Sequence, residues 1–264
     1  MKNLLTRSIS ALIYACIFLS AIIFSSETYI GLITIFATIS LWEYSKLIRS
    51  TNILPYLTLF ALSILAYHGK ITGVFELVIL GLNLITNAYL FLKLFSKEPH
   101  KYSPLLKLNY ELSYVVLSFI FLILIPFING SYHPDVMLFI ILIIWTNDSF
   151  AFLVGKNFGR TKLFERISPK KTIEGFIGGL VFSVLVGFII GKFDSELNSM
   201  NWIIIALIVS IFGTYGDLIE SKFKRHAKVK DSGTIMPGHG GLLDRLDSLF
   251  FLAPFVYLYI HFLM

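Results

Sequence analysis

Apolar runs of about twenty residues, separated by short polar joints, recur along the whole chain. A helix of about 20 residues crosses about 30 Å of hydrocarbon, because each residue adds about 1.5 Å. The runs lack the strict alternation of a membrane β-barrel, and backbone polar groups inside a bilayer must be satisfied internally. Only 14% of the residues are charged, whereas a soluble domain carries about 25%. The pattern predicts an all-α integral membrane protein.

We predict about nine transmembrane helices, with the N-terminus in the cytoplasm and the C-terminus outside. The third and fourth, separated only by the joint around Gly69, are expected to form either a tight hairpin or one broken helical unit. We expect one polytopic membrane domain over residues 1–264, in which 1–108 provide a scaffold or contacts between subunits and 109–264 provide catalytic helices and cytoplasmic loops. The predicted spans are 8–24, 29–48, 53–69, 71–95, 109–128, 137–155, 172–192, 202–219 and 245–263.

The basic residues support this orientation. With a cytoplasmic N-terminus, every lysine and arginine except Lys70 and Lys192 falls in a cytoplasmic joint, as the positive-inside rule requires. The net charge of +6 is then a consequence of topology and of contact with anionic headgroups, and we expect no nucleic-acid partner. Residues 1–25 lack a small-residue cleavage site and are expected to remain as the first span.

Acidic residues occur where a membrane protein can least easily accommodate them. Asp148, Glu174, Asp217, Asp244 and Asp247 lie near the cytoplasmic ends of four consecutive predicted helices. Ionisable groups within spans are costly and usually functional. Glu174 and Asp247 also suit a plain helix N-terminus, but the helix dipole opposes that explanation for Asp148 and Asp217. We therefore expect a shared site at this face of the membrane.

Basic residues flank these acids. The segment 168–172 (SPKKT) precedes Glu174, and the segment 221–225 (SKFKR) follows Asp217. Grouped carboxylates repel one another unless a cation joins them, and Mg²⁺ prefers such oxygen ligands. Lysine and arginine are suited to phosphates. The combination predicts a site for a metal ion and a polyphosphate.

Glycines mark a further part of the predicted site. The segment 237–241 (PGHGG) cannot be helical, and its glycines allow the backbone to approach a ligand closely. The predicted ninth helix starts just after it and can direct N–H groups at an anion. By contrast, Gly178 and Gly179 are expected to serve helix packing. Asp244 and Asp247, three residues apart, share one helical face, an arrangement that a plain salt-bridged helix start would also explain.

The segment from Ser221 to Asp247, SKFKRHAKVKDSGTIMPGHGGLLDRLD, resembles the signature of the phosphatidate cytidylyltransferases, or CDP-diglyceride synthases. A second block, from Asn147 to Gly175, is similar to the other motif region of that family. The resemblance covers about residues 140–255, with departures at Phe152, Ile173 and Met236. The fixed signature positions filled here are Ser221, Lys224, Arg225, Lys230, Asp231, Pro237, His239, Gly240, Gly241, Asp244, Arg245 and Asp247.

The resemblance implies that a phosphate oxygen of phosphatidate attacks the α-phosphorus of CTP, giving CDP-diacylglycerol and pyrophosphate. It implies Mg²⁺ on Asp217 and Asp244, with a second, monovalent cation such as K⁺ also suggested. The expected partners are CTP, phosphatidate and membrane lipids, with a homodimer left open. The expected location is a bacterial inner membrane, with the site facing the cytoplasm.

The resemblance also implies roles for single residues. The predicted catalytic residues are Lys224, Arg225, Asp231, His239, Arg245 and Asp247. The predicted substrate-binding residues are Asp148, Lys156, Ser168, Lys170, Lys171, Thr172, Glu174, Ser221, Lys222, Lys230, Gly238, Gly240 and Gly241. Within these sets, Lys170 and Lys171 are expected to receive the lipid phosphate.

Two other functions remain as alternatives at this stage. A CTP-dependent polyprenol or phytol kinase would transfer the γ-phosphate and release CDP. An ion-coupled transporter could also bury acids in helices, although transporter sites tend to lie near the midplane and in paired repeats. The sequence does not indicate acyl-chain preference, a choice between CTP and dCTP, or regulation.

Overall fold

The computed structural model describes residues 2–96, 102–238 and 240–264, with side chains described from residue 8 onward. The predicted all-α class is confirmed, since helices form nearly all of the regular structure. The helices are α1 (Lys2–Phe24), α2 (Ser26–Ile48), α3 (Leu54–Tyr67), α4 (Gly73–Leu94), α5 (Pro104–Asn109), α6 (Leu117–Leu124), α7 (Pro134–Phe158), α8 (Ile173–Ile190), α9 (Ser199–His226) and α10 (Leu243–Leu258). A π-helical segment (Tyr110–Val116) joins α5 to α6, and another (Tyr259–Leu263) extends α10.

Two short antiparallel hairpins complete the described elements. The first pairs β1 (Phe127–Ile128) with β2 (Ser131–Tyr132), and the second pairs β3 (Lys162–Phe164) with β4 (Ser168–Thr172). The second hairpin occupies the predicted cytoplasmic joint between the sixth and seventh spans. It leads directly into α8, so its lysines are held on paired strands.

Six helical segments in the described part of the chain are long and apolar enough to cross a membrane. They are Gly73–Leu94, Pro104–Leu124, Pro134–Phe158, Ile173–Ile190, Ser199–His226 and Leu243–Leu263. The predicted hairpin of the third and fourth spans matches α3 and α4, which are joined at Gly69 with φ of 62°. The number of nine crossings and the orientation of the termini remain predictions.

The predicted ends of two spans were wrong: the fifth was predicted to reach residue 128, but α6 ends at Leu124 and Phe127–Ile128 form β1. The eighth span was predicted to end at residue 219, but α9 continues to His226. Phe223 explains the extension, because its ring is buried against Tyr44, Tyr110 and Tyr114 from α2 and the first π-helical segment. A buried aromatic ring stabilises the extra helical turns. The basic segment 221–225 is therefore helical, with fixed directions for each side chain.

The helices α7, α8, α9 and α10 pack against one another in chain order. Small residues allow α7 and α8 to approach closely, as predicted for Gly178 and Gly179. A Cβ added at Gly179 would lie 2.8 Å from the backbone oxygen of Asn147, and one at Gly178 would lie 2.6 Å from a methyl of Val154. The packing role of both glycines is confirmed. Close contact here brings the start of α8 beside the C-terminal part of α7, where Gly175 meets Ala151 and Gly155.

We expect Gly179→Ala to destabilise the protein, because its methyl would overlap the α7 backbone. Overpacking of this kind costs about 1–3 kcal/mol. Thermal unfolding of the purified protein in detergent would measure the effect. Gly81→Ala is the matched control, since a Cβ at Gly81 has no heavy atom within 4 Å. Equal unfolding temperatures for the two variants would contradict the assigned packing role.

Candidate active site

A cavity of about 910 Å³ opens between α1, α7, the β3–β4 hairpin, α8, α9 and α10. It has a strongly charged wall and an apolar wall. Its charged lining residues are Asp148, Lys156, Lys162, Lys170, Lys171, Asp217, Lys224, Asp231, Asp244, Arg245 and Asp247. Its apolar and aromatic lining includes Tyr14, Ile144, Trp145, Phe152, Phe176 and Leu249. Residues distant in sequence therefore meet in one space.

Asp217 lies on α9 and forms an ion pair that faces the cavity. Its Oδ2 is 2.5 Å from Nζ of Lys171, and its Oδ1 accepts a hydrogen bond of 3.1 Å from the hydroxyl of Ser221. Ser221 follows one helical turn later, so the helix itself orients the carboxylate. Lys171 comes from β4, which links the hairpin to α9. The two side chains are about one third exposed, so the pair is open to the cavity.

Asp244 opens α10 and is the most heavily bonded carboxylate of the site. Its Oδ2 accepts hydrogen bonds from the backbone N–H groups of Ser232 and Gly241, at 2.9 and 2.8 Å, and from the hydroxyl of Ser232 at 3.0 Å. Its Oδ1 lies 2.6 Å from Nζ of Lys224. These bonds join the start of α10 to the glycine loop, which we define as residues 231–238 and 240–242. Gly240, with φ of 94°, lets that loop pass the carboxylate.

Lys224 lies between two acids. Its ammonium contacts Glu220, four residues earlier on α9, as well as Asp244. Lys224 is 9% exposed and Glu220 is 1% exposed. Buried charges of this kind persist in proteins only when they are paired. Although Lys224 lines the cavity, much of its charge is therefore already neutralised by Glu220 and Asp244.

Asp148 and Asp247 complete the acidic wall. Asp148 lies on α7 and accepts a hydrogen bond of 3.4 Å from the side-chain amide of Asn147. Asp247 is buried in the first turns of α10, where its Oδ1 accepts a hydrogen bond of 2.8 Å from the N–H of Ser248. Of the five acids predicted to gather from four helices, Asp148, Asp217, Asp244 and Asp247 line the same cavity and Glu174 does not.

The β3–β4 hairpin supplies the basic wall and is anchored at its base. The hydroxyl of Thr172 caps α8 by accepting a hydrogen bond of 3.1 Å from the N–H of Gly175. Glu174 accepts hydrogen bonds from the backbone N–H groups of Arg160 and Thr161, both at 3.0 Å. These contacts tie the entry of the hairpin to the start of α8 and leave Lys170 and Lys171 directed at the cavity.

The structure places several predicted site residues elsewhere. Lys222 points away from the cavity, and its ammonium contacts the backbone oxygens of Lys93, Leu94 and Ser96 at the C-terminal end of α4. Lysine suits that position because helix C-termini expose unpaired carbonyls. Arg225 donates to the backbone oxygen of Val229 at 3.3 Å. Lys222 and Arg225 therefore have structural partners in place of a ligand.

Further predicted residues surround the cavity without lining it. Glu174 is engaged with the backbone at the base of the hairpin, and Ser168 lies in the β3–β4 pairing opposite Phe164. His239 lies outside the described residues. The other predicted residues that are described but do not line the cavity are Ser221, Lys230, Gly238, Gly240 and Gly241.

The donor set fits a magnesium ion that also binds substrate phosphates. In the described ranges, no group of three or more acidic, histidine or cysteine side chains is arranged to hold an ion. Mg²⁺ is, however, usually held by one or two carboxylates with water and substrate phosphates. Asp217 already attracts a cation, the ammonium of Lys171 at 2.5 Å. Asp217 and Asp244 line the same cavity and are the carboxylates that would hold Mg²⁺.

Sequence reasoning missed two buried acids that contact the surroundings of the cavity, Glu43 and Glu220, as well as the buried Glu111, which does not. Glu43 lies in a predicted span, so the rule that intramembrane acids are functional would have identified it. Glu220 directly precedes the recognised signature, and its four-residue spacing from Lys224 would have indicated a helical ion pair. Tyr14 and Lys162 also line the cavity. Tyr14 shows that the N-terminal half contributes to the site.

Comparison with known proteins agrees with the motifs. The model of the cytidylyltransferase family matches residues 5–263 of the chain. A phosphatidate cytidylyltransferase of Staphylococcus haemolyticus is 34% identical over 255 residues, which are 94% of this chain and 95% of that protein. One of Staphylococcus aureus is 52% identical over 120 residues, 45% of this chain and 46% of that protein.

A further relative, a phosphatidate cytidylyltransferase of Staphylococcus saprophyticus, is 44% identical over 146 residues, 54% of each chain. The family match extends through both the N-terminal helices and the helices that form the cavity. It therefore covers the predicted scaffold and the predicted catalytic region alike. The chain belongs to the cytidylyltransferase family.

Proposed function

We propose that this protein transfers a cytidylyl group from CTP to phosphatidate, giving CDP-diacylglycerol and pyrophosphate for phospholipid synthesis. The observation that carries the proposal is a single cavity in which carboxylates, lysines and apolar side chains meet. A nucleoside triphosphate requires cations, and an acyl chain requires an apolar surface. Relatives named phosphatidate cytidylyltransferase support the same assignment.

The reaction needs charge neutralisation more than it needs a base. A phosphate oxygen of phosphatidate attacks the α-phosphorus of CTP, the bond to the β-phosphate breaks, and pyrophosphate leaves with its electron pair. The nucleophile is already an anion, so the barrier comes from bringing two polyanions together. Lys156, Lys162 and Lys170 line the cavity and can lower that repulsion. Preorganised charges of this kind account for much of the catalysis of such reactions.

The acidic wall of the cavity provides the carboxylates that a metal ion would need. We propose that Asp217 and Asp244 hold Mg²⁺, which when bound would neutralise charge on the triphosphate. Lys171 contacts Asp217 directly, so its ammonium can orient this carboxylate or turn to a phosphate. The ammonium of Lys224 is held by Glu220 and in turn contacts Asp244, so it keeps the Asp244 carboxylate in place. Arg245 extends the basic side of the same space.

The apolar wall suits the lipid substrate. Phe152 is 65% exposed and Trp145 is 46% exposed, and both lie on α7 and line the cavity. On a helix long enough to cross a membrane, large exposed apolar side chains face acyl chains. Phosphatidate could therefore enter from the side while CTP enters from the aqueous end. The distribution of lysine and arginine supports a cytoplasmic aqueous end, and the staphylococcal relatives support a bacterial cell membrane.

The reaction itself can be tested with purified protein in detergent supplied with labelled CTP, phosphatidate and Mg²⁺. We expect cytidine label in the lipid phase and release of one pyrophosphate for each lipid product. Release of CDP with a phosphorylated lipid would instead identify a CTP-dependent lipid kinase. Omitting phosphatidate is the control, because the cytidylyl group then has no acceptor.

We expect Asp217→Asn to lower kcat by at least about 100-fold, because a neutral amide would neither pair with Lys171 nor hold a divalent cation. The protein should remain folded, since the amide can still accept from Ser221. Initial rates with saturating CTP and lipid would measure the change. Asp135→Asn, near the opposite end of α7 from the cavity, is the matched control. Unchanged kcat in Asp217→Asn would contradict the role of this carboxylate.

Lys170→Ala should raise the KM for phosphatidate by about 10-fold, since a lost contact between an ammonium and a phosphate is worth about 1.5–3 kcal/mol. The KM for CTP should change less, because Lys170 lies on the hairpin next to the exposed apolar wall. Steady-state kinetics in mixed micelles would separate the two constants. Lys192→Ala, at the far end of α8, is the control. A larger rise in the KM for CTP would reassign Lys170 to the nucleotide.

A further inference from the structure

Glu43 is a fully buried acid of the N-terminal half that contacts the glycine loop. It lies on α2 and has an exposed fraction of 0%. Its Oε2 accepts a hydrogen bond of 2.8 Å from the N–H of Leu243 and one of 3.1 Å from the hydroxyl of Ser232. One carboxylate oxygen thus joins both ends of a loop that lies about 200 positions further along the chain.

Two glycines of the loop, Gly233 and Gly241, lie in close contact with this carboxylate. A Cβ added at Gly233 would overlap the carboxylate of Glu43, and one at Gly241 would lie 2.5 Å from Oε2 of Glu43 and would also overlap the hydroxyl of Ser232. Backbone and carboxylate are therefore in direct contact on both sides. The loop can approach Glu43 this closely only because Gly233 and Gly241 have no side chain.

The contacts of Glu43 continue into Asp244. The hydroxyl of Ser232 lies 3.0 Å from Oδ2 of Asp244 as well as 3.1 Å from Oε2 of Glu43, and the N–H of Ser232 also bonds to Asp244. A hydroxyl has one hydrogen, so Ser232 is held between two carboxylates that compete for it. Leu243, bonded to Glu43, directly precedes Asp244. Moving Glu43 would therefore release the loop and change the direction of the Asp244 carboxylate.

We propose that Glu43 is a positioning residue that holds the glycine loop against α2 and thereby directs Asp244 into the cavity. Its effect on turnover rests on the proposed function, in which Asp244 engages the metal and the triphosphate of CTP. Loss of Glu43 should therefore impair the use of CTP selectively. The lipid phosphate, received by Lys170 on the opposite hairpin, should be affected less.

Glu111 provides a matched comparison for a purely structural acid. It is also 0% exposed, and its oxygens accept hydrogen bonds from the hydroxyls of Ser45 at 2.7 Å and Ser50 at 3.0 Å. Both glutamates lie in the N-terminal half: Glu43 is on α2, and Glu111 bonds to Ser45 of α2. Glu111 neither lines the cavity nor bonds to the glycine loop. A difference in kinetics between a Glu43 variant and a Glu111 variant therefore reports on the contact between Glu43 and the glycine loop.

Steady-state kinetics of Glu43→Ala, Glu43→Gln and Glu111→Ala give the first test. We expect Glu43→Ala to raise the KM for CTP by about 10-fold or more, as for a lost hydrogen bond to a charged group, with the KM for phosphatidate within about 2-fold of wild type. Glu43→Gln should recover most of this loss, since its side-chain oxygen can accept from Leu243 and Ser232. Glu111→Ala should leave both KM values near wild type. Equal effects of the two alanine variants on the KM for CTP would overturn the proposal.

Hydrogen–deuterium exchange without substrate gives a second test that does not depend on activity. Glu43→Ala should accelerate exchange in peptides that contain Ser232, Gly241 and Leu243, whose N–H groups bond to Asp244 and Glu43. Glu111→Ala should not change exchange there. If Glu43→Ala does not fold, Ser232→Ala removes the shared hydroxyl and should raise the KM for CTP and the exchange in the same direction.

The two proposals fail differently. If wild-type protein forms no lipid-bound cytidine while loop exchange still depends on Glu43, the proposed reaction is wrong and the positioning role stands. If wild-type protein is active and neither loop exchange nor the KM for CTP changes in Glu43→Ala or in Ser232→Ala, the positioning role is wrong and the reaction stands.

Discussion

Pairing of buried charges is the constraint on which the site depends. Helices that cross a membrane can retain acids only if each finds a cation or a hydrogen-bond donor. Lys171 meets Asp217, and Lys224 meets both Glu220 and Asp244. Two of these pairs join separate elements, Lys171–Asp217 linking β4 to α9 and Lys224–Asp244 linking α9 to α10, while Lys224–Glu220 lies within α9. The electrostatic requirement therefore also determines how the helices around the cavity are arranged.

Close helix packing makes those pairs geometrically feasible. Gly178 and Gly179 let α8 lie against α7, and Thr172 and Glu174 anchor the β3–β4 hairpin at the start of α8. The hairpin then reaches over the end of α9, where Lys171 finds Asp217. A wider separation of α7 and α8 would move the basic wall away from the acidic one. Glycine packing far inside the helices thus supports charge placement at their ends.

Glu43 and Phe223 show that the N-terminal half is part of this arrangement. Phe223 packs on Tyr44 and Tyr114 on one face of α9, which directs Lys224 towards the acids. Glu43, next to Tyr44 on α2, holds the glycine loop at the start of α10. Adjacent residues of α2 therefore contact α9 and the glycine loop, each of which contributes other residues to the cavity wall.

Sequence patterns alone were enough to predict the helical class, the α3–α4 hairpin and four of the acids that line the cavity. Hydropathy reports the local cost of placing each segment in hydrocarbon, and that cost is additive along the chain. Long helices of alternating predicted direction then bring Asp148, Asp217, Asp244 and Asp247 to one level. The signature from Ser221 to Asp247 also carries enough fixed positions to indicate the family.

The direction in which individual side chains point depends on tertiary packing. Lys222 and Lys224 are two residues apart in one basic segment, yet Lys222 caps α4 while Lys224 contacts buried Glu220 and, in the cavity wall, Asp244. Their directions depend on the extension of α9 to His226, which is stabilised by rings from α2 and the first π-helical segment. Glu43 likewise reaches its partners across about 200 positions. Contacts between distant segments follow from packing in three dimensions, which local hydropathy and residue spacing do not contain.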